Sequence, residues 1–416
     1  MMQWTSAAAV WIAGCLAMPS EAADFTFKPA PAAPDAVAVP AGASFERTTG
    51  FGFEPVGTVF NNMAGCSRPA DPISQADTAS RFSIALAEGT WRVDMRFAKA
   101  PKGAVGAEAR RFYYLPRAPG QKRSRTLSFV VDVRSPELPA PPPNAPGGTA
   151  VRLNPRECGS YSWDGKLTIV FNGDTRPTRL DVTPVEVPRL FLLGDSTVTD
   201  QPVAPYAGWG QMLPLLFGPG IAVANHAESG ETLKSFLAEL RLDKILSQAR
   251  GGDWAMIQFS HNDEKEMWPQ THAPAGSTFP LYLKLYIAEL RRRGVTPVLV
   301  TPVERMRFGA DGRIAASHGA YPEAIRAVAA SENVPLIDLT ALSKTLFEAM
   351  GPQRARDAFA GHGADATHQS AYGAFELARA IAAELRRQSL PLAEFLKPDL
   401  PSFNPSTPDP PETVTP

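Results

Sequence analysis

The sequence predicts an α/β fold: a doubly wound parallel sheet preceded by a small antiparallel β-sandwich. Three observations predict it. Residues 42–187 carry strands with period-two apolar alternation and no helical periodicity. From Pro188 onward, short apolar runs alternate with stretches whose apolar residues recur at helical spacing. These later strands are apolar almost throughout, as strands covered on both faces by helices must be.

The elements follow in order. Residues 1–23 hold the apolar stretch "SAAAVWIAGCLAM" before "PSEAAD", which reads as a secretory signal peptide cleaved near Ala22 or Ala23. "IAGC" also resembles a bacterial lipoprotein box, with Cys15 as the lipidated residue. Residues 24–41 read as a Pro/Ala linker. In "EGTWRVDMRF", Trp91, Val93, Met95 and Phe97 face one way, and in "RTLSFVVDVR", Leu127, Phe129, Val131 and Val133 do the same. "KLTIVF" follows, with a turn around Asn172-Gly173-Asp174 and a further strand.

The second half, residues 188–397, opens on the strand "RLFLLGD" and the helical "WGQMLPLLF". Strands at "GIAVAN", "DWAMIQFS", "VTPVLVTP" and "VPLIDL" are interleaved with helical patterns at "TLKSFLAELRLDKILSQA", "TFPLYLKLYIAELRRRG", "YPEAIRAVAASEN" and "SAYGAFELARAIAAELRRQ". Residues 398–416, rich in Pro and Ser/Thr, read as a disordered tail.

Composition narrows the partners. The 416 residues carry 41 Lys+Arg against 42 Asp+Glu, a formal net charge of −1, so no basic excess points to nucleic acid. Beyond the N-terminal segment no stretch is apolar for long enough to span a membrane. The three cysteines do not lie at zinc-ligand spacing. Cys66 and Cys158 are open to two readings, one disulfide in an oxidising compartment or two buried thiols.

In open α/β sheets, sites collect at the C-terminal ends of the strands. Four loops there carry candidate chemistry. Ser196, in "GDST", is either a helix N-cap or a nucleophile. Gly230, in "ESGET", brings a backbone N–H close to a ligand or is a plain turn glycine. Asn262, in "SHND", supplies an amide to a developing oxyanion or makes an Asx turn. Asp365 and His368, in "DATH", are three apart, so a turn points both the same way and the carboxylate orients the imidazole. An imidazole so held takes the proton of a serine hydroxyl too weakly acidic to ionise alone. A metal reading would use His362, Asp365 and His368, but no further carboxylate or histidine cluster completes it, and no cofactor is expected.

At these residues the sequence resembles the SGNH (GDSL-type) hydrolases, and looks closest to their rhamnogalacturonan acetylesterase group. "GDST", "ESGET", "SHND" and "DATH" match the family's blocks over roughly residues 188–390, and "RMRFGADGRIAASHGAYPEAIRAVA" supports the narrower group. The resemblance implies a flavodoxin-like sheet and a β-sandwich of galactose-binding-like type. It implies Ser196 as nucleophile, His368 as base and Asp365 as its orienter. It implies an oxyanion hole of Ser196, Gly230 and Asn262, and no metal. The implied substrate is an acetylated plant cell-wall polysaccharide, pectic rhamnogalacturonan first, met by a secreted or periplasmic enzyme. A broad GDSL esterase or lipase, or an acetylxylan esterase, keeps the same residues; a non-catalytic carbohydrate-binding protein is the remaining class. Trp268 and His272, in "EMWPQTHAPAGSTF", are candidates to line the sugar site. One departure stands out: Ser260 occupies the place where the family's third block usually has glycine.

Overall fold

In the computed structural model of the protein, the structure describes residues 23–27, 36–40, 42–54, 79–158, 160–173 and 175–414. Residues 1–22 of the expected signal peptide, and with them Cys15, lie outside these, as does Cys66; Cys158 is disulfide-bonded.

The first unit comprises β1 (Ala23–Thr26), β2 (Val37–Ala38), β3 (Phe51–Phe53), β4 (Ser80–Ala85), β5 (Gly89–Arg96), β6 (Val105–Ala107), β7 (Arg111–Tyr114), β8 (Thr126–Val133), the single turn α1 (Pro155–Cys158), β9 (Lys166–Phe171) and β10 (Arg179–Pro184). They form two five-stranded sheets, ordered β2-β1-β10-β5-β8 and β3-β4-β9-β6-β7. Both sheets feed one apolar cluster, with Trp91, Val93 and Val131 from one and Phe82, Leu167 and Ile169 from the other. The period-two alternation read from β5 is the alternation of this buried face.

One expectation is corrected. The linker at 24–41 is partly sheet: β1 pairs antiparallel with β10 and parallel with β2, so this sheet is mixed. Phe25 supplies the reason, since its ring is buried against Phe51 and Phe82. The further strand expected after β9 is β10, which lies in the other sheet.

The second unit runs β11 (Arg189–Gly194), α2 (Trp209–Met212), β12 (Ala222–Asn225), α3 (Leu233–Ala238), α4 (Arg241–Gln248), β13 (Trp254–Gln258), α5 (Thr278–Arg291), β14 (Thr296–Val300), α6 (Tyr321–Glu332), β15 (Leu336–Ile337), α7 (Leu339–Arg354), the short α8 (Ala360–Gly363) and α9 (Ala371–Arg387). Its strands are all parallel, in the order β12-β11-β13-β14-β15, which is the flavodoxin-like doubly wound order. Leu190 and Leu192 of β11 enter one apolar cluster with Trp209, Phe347 and Phe375. Phe191 and Leu193 enter the other, with Phe236, Tyr286 and Ile325. Strand and helix periods thus meet on both faces, and the loops after the strands collect at one edge.

The pattern at 232–249 reads as one helix but folds as two. Leu240 sits at φ 63 between α3 and α4, which frees Arg241 to enter a buried ion cluster described below. The 398–416 tail is also corrected. Residues 398–414 are ordered along α9, where Phe403 lies under Arg379 and Val414 joins the apolar cluster. The carbonyl of Asp409 accepts from Tyr372 and Arg354, and its carboxylate pairs with Arg379. A proline-rich segment has few N–H donors to satisfy, so side-chain donors reaching its carbonyls suffice to hold it.

The two units share a core. Phe112, Leu115 and Ala118 of the first belong to the same apolar cluster as Leu190 and Met212 of the second. Buried ion pairs cross the seam: Arg111 to Asp200 at 2.8 Å, and Arg241 to Glu157 at 2.6 Å. Paired, hydrogen-bonded charges are the form in which ions tolerate burial.

Candidate active site

Ser196 follows β11 in a turn built by its neighbour. One carboxylate oxygen of Asp195 accepts from the N–H and hydroxyl of Thr197, and the Asp195 carbonyl accepts from Val198 and Thr199 N–H. This is an Asx-type turn, which aspartate forms because its side chain mimics a backbone acceptor. No helix starts here, as the next one begins at Trp209 with Gly208 as its N-cap. The N-cap reading of Ser196 therefore gives way to a serine presented at a strand end. Gln258 at the end of β13 braces the turn, donating to Thr197 Oγ1 at 2.6 Å and accepting from Trp209 Nε1 at 2.8 Å.

Asp365 repeats the device before α9. Its Oδ1 accepts the N–H groups of Thr367 and His368 at 2.8 and 2.9 Å. Its Oδ2 lies 2.7 Å from His368 Nδ1, and His368 Nε2 lies 2.9 Å from Ser196 Oγ. The three residues read from the sequence are thus one hydrogen-bonded chain spanning 172 positions of sequence. With Nδ1–H donating to Asp365, Nε2 is left to accept the serine hydroxyl. Burial pushes the Asp365 carboxyl up, but the backbone and ring N–H of His368 and the Thr367 N–H outweigh it and hold it below the usual range. Tyr206 packs edge-on against the His368 ring at 5.8 Å.

Gly230 lies in the loop after β12 at φ +87, a conformation that favours glycine. Asn262 lies in the loop after β13, buried, its Nδ2 donating to Glu231 O at 3.0 Å; that bond ties the two loops together. The backbone N–H groups of Ser196 and Gly230 have no acceptor among the described residues. Two unpaired N–H groups and the second amide hydrogen of Asn262 are the donors that a developing oxyanion needs. Ser260 answers for the missing glycine. It sits at φ 139, fully buried, and its Oγ has no partner among the described residues. This backbone conformation is one that glycine adopts freely and that Ser260 holds under strain.

Trp268 is 47% exposed. His272 serves its own loop, its Nδ1 2.7 Å from Asp263 O. His362 turns away from His368 to pair with Asp357 at 2.8 Å, so the three residues of the metal reading do not converge.

Four residues escaped the sequence reading. Gln201 Nε2 donates to the Ser196 carbonyl at 2.8 Å. Arg156, from the first unit, donates to Gln201 Oε1 at 2.9 Å and to Glu228 Oε1 at 2.9 Å, so one guanidinium grips both the nucleophile turn and the Gly230 loop. Burial pushes the Glu228 carboxyl up, and Arg156 opposes that. Lys265 donates to Asn262 Oδ1 at 2.7 Å and fixes which way the amide faces. Of these, only Lys265 left a local signal, an Asn-x-x-Lys spacing that mirrors Asp-x-x-His.

Fold and site together define a carboxylic ester hydrolase built on a doubly wound parallel sheet. The chain belongs to the GDSL-like Lipase/Acylhydrolase family, whose sequence model matches residues 192–374. It is 41% identical over 226 residues to the rhamnogalacturonan acetylesterase RhgT of Bacillus subtilis, covering 51% of this chain and 94% of RhgT. It is 27% identical over 367 residues to the uncharacterized esterase YxiM of the same organism, covering 86% of this chain and 88% of YxiM. The crystal structure of YxiM superposes with a TM-score of 0.50 at 22% identity, covering 89% of this chain and 99% of that one. The match takes in nearly all of RhgT and about half of this chain.

Proposed function

We propose that the protein is an exported serine acetylesterase that removes O-acetyl groups from a plant cell-wall polysaccharide, pectic rhamnogalacturonan first. The observation that carries the reading is His368 bridging Ser196 and Asp365. Ser196 Oγ attacks the acetyl carbonyl as its proton passes to His368 Nε2, and Asp365 stabilises the imidazolium. The oxyanion is held by the N–H groups of Ser196 and Gly230 and by Asn262 Nδ2. His368 then gives the proton to the departing sugar hydroxyl, leaving an acetyl-enzyme. Water, deprotonated by His368, attacks the acetyl group; acetate leaves and Ser196 regains its proton.

The similarity to a named rhamnogalacturonan acetylesterase supports the substrate, and the apolar N-terminal segment supports export. We read the first unit as a galactose-binding-like β-sandwich that braces the site, since Arg156 reaches both loops that supply the oxyanion donors. Acetate release from a panel of acetylated polysaccharides tests the whole. Ser196→Ala is expected to lower release by about 10⁴-fold or more with the fold intact. Undiminished release by that variant ends the proposal, and a strong preference for acetylated xylan ends its pectic part.

A further inference from the structure

We propose that Lys265 is an anchor for a carboxylate carried by the substrate next to the acetylated position, which makes this a site for acetyl esters on uronate-bearing chains rather than neutral ones. The inference rests on reading Ser196, His368, Asp365 and Asn262 as the ester-cleaving site, and it names the substrate feature that the site selects.

Lys265 is half-buried at the rim of that site, its ammonium 2.7 Å from Asn262 Oδ1 and 4.3 Å from the centre of the Trp268 ring. No carboxylate lies within ion-pair distance of it among the described residues. The adjacent Glu264 is already engaged, by Arg305 at 2.6 Å and by His318 at 3.1 Å. An ammonium has three hydrogens to donate. Asn262 takes one and the indole face attracts the charge, which leaves donor capacity with no directly paired carboxylate among the described residues. Burial, followed by the neighbouring Arg305, pulls the Lys265 ammonium below the usual lysine range, against the pull of Glu264 and Asp195. A partly desolvated cation without a directly paired carboxylate costs free energy that an arriving anion recovers.

The anion must come on the same molecule as the ester. Lys265 shares Asn262 with the proposed oxyanion hole, so a charge bound there lies within a sugar ring's reach of the reacting carbonyl. Trp268, exposed beside it, offers an apolar face for the ring that bears the carboxylate. Neutral xylose units would leave Lys265 unpaired, whereas galacturonate units would satisfy it.

The experiment compares kcat and KM for acetate release from acetylated rhamnogalacturonan and acetylated xylan, at low and high NaCl, for the wild type, Lys265→Met and Lys265→Arg, with Ser196→Ala as blank. The wild type is expected to prefer the uronate polymer. Lys265→Met is expected to cut that preference about tenfold or more, chiefly through KM on the uronate polymer. Lys265→Arg restores most of it. Salt erodes the wild-type preference and leaves that of Lys265→Met unchanged. Equal loss on both polymers, confined to kcat, would show that Lys265 only orients Asn262 and would overturn the anchor. An unchanged preference would overturn it too. Undiminished release by Ser196→Ala would instead sink the underlying reading.

Discussion

Ser260 shows what a single residue costs. A non-glycine residue at φ 139, with a buried and unpartnered hydroxyl, carries strain that the surrounding loop must hold. Ser260→Gly is therefore expected to raise stability by about 1–3 kcal/mol, read from denaturant unfolding with an unchanged slope. A loss of stability would mean that the hydroxyl has a partner and the strain is absent. The residues of the site were legible at this scale for a physical reason. Asp195 and Asp365 each fold the chain onto their own side chain within three positions, so the motifs carry their own geometry. Arg156 was not legible, because its partners stand 45 and 72 positions away and no local pattern announces them.

Among the elements, the loop after β13 is tied to two helices through Asp263. Asp263 Oδ1 accepts the Leu233 N–H that opens α3, while the Asp263 carbonyl accepts from Tyr321 and Ala273. Burial, with Asp195 adding to it against the Leu233 hydrogen bond, pushes the Asp263 carboxyl up to about 8. The folded state then holds a proton that the unfolded state releases near the ordinary aspartate value of 3.8. In that window the native state binds more protons, so this group's contribution to stability falls as pH rises from about 4 to 8. Asp263→Asn should gain stability relative to the wild type over pH 5 to 8, by at most about 1.4 kcal/mol per unit. Thermal unfolding across that range checks it, and parallel curves would mean that the carboxyl ionises normally. Strands and long helices were legible here from their periods. The break at Leu240 was not, because the apolar spacing runs through it and the buried ion cluster at Arg241 lies between units. Helix α7 was missed, and Gly351 and Pro352 interrupt its last turns.

At the scale of the molecule, the sequence reads as two domains and the structure binds them into one core. Phe112 packs with the second unit, and Arg111, Arg156 and Glu157 reach acidic or basic partners across the seam. Differential scanning calorimetry is expected to show a single cooperative transition rather than two. The same seam links the first unit to turnover. Arg156→Met leaves Glu228 buried without its ion partner and frees Gln201, and kcat is expected to fall about 10- to 100-fold with KM nearly unchanged. Unaltered kcat in a folded variant would reduce the first unit to a passive support. The ordered tail, unforeseen from its composition, belongs to the same architecture, since side chains of α9 supply what its prolines lack. All of this bracing serves one proposed covalent event. Rapid quenching during turnover of an aryl acetate, followed by peptide mass spectrometry, tests that event most directly. One acetyl group is expected on Ser196, absent from Ser196→Ala and accumulating when water attack is slowed. A wild-type enzyme that turns over the ester with the acetyl group on another residue, or a Ser196→Ala variant that still acquires it, would rule out Ser196 as the nucleophile.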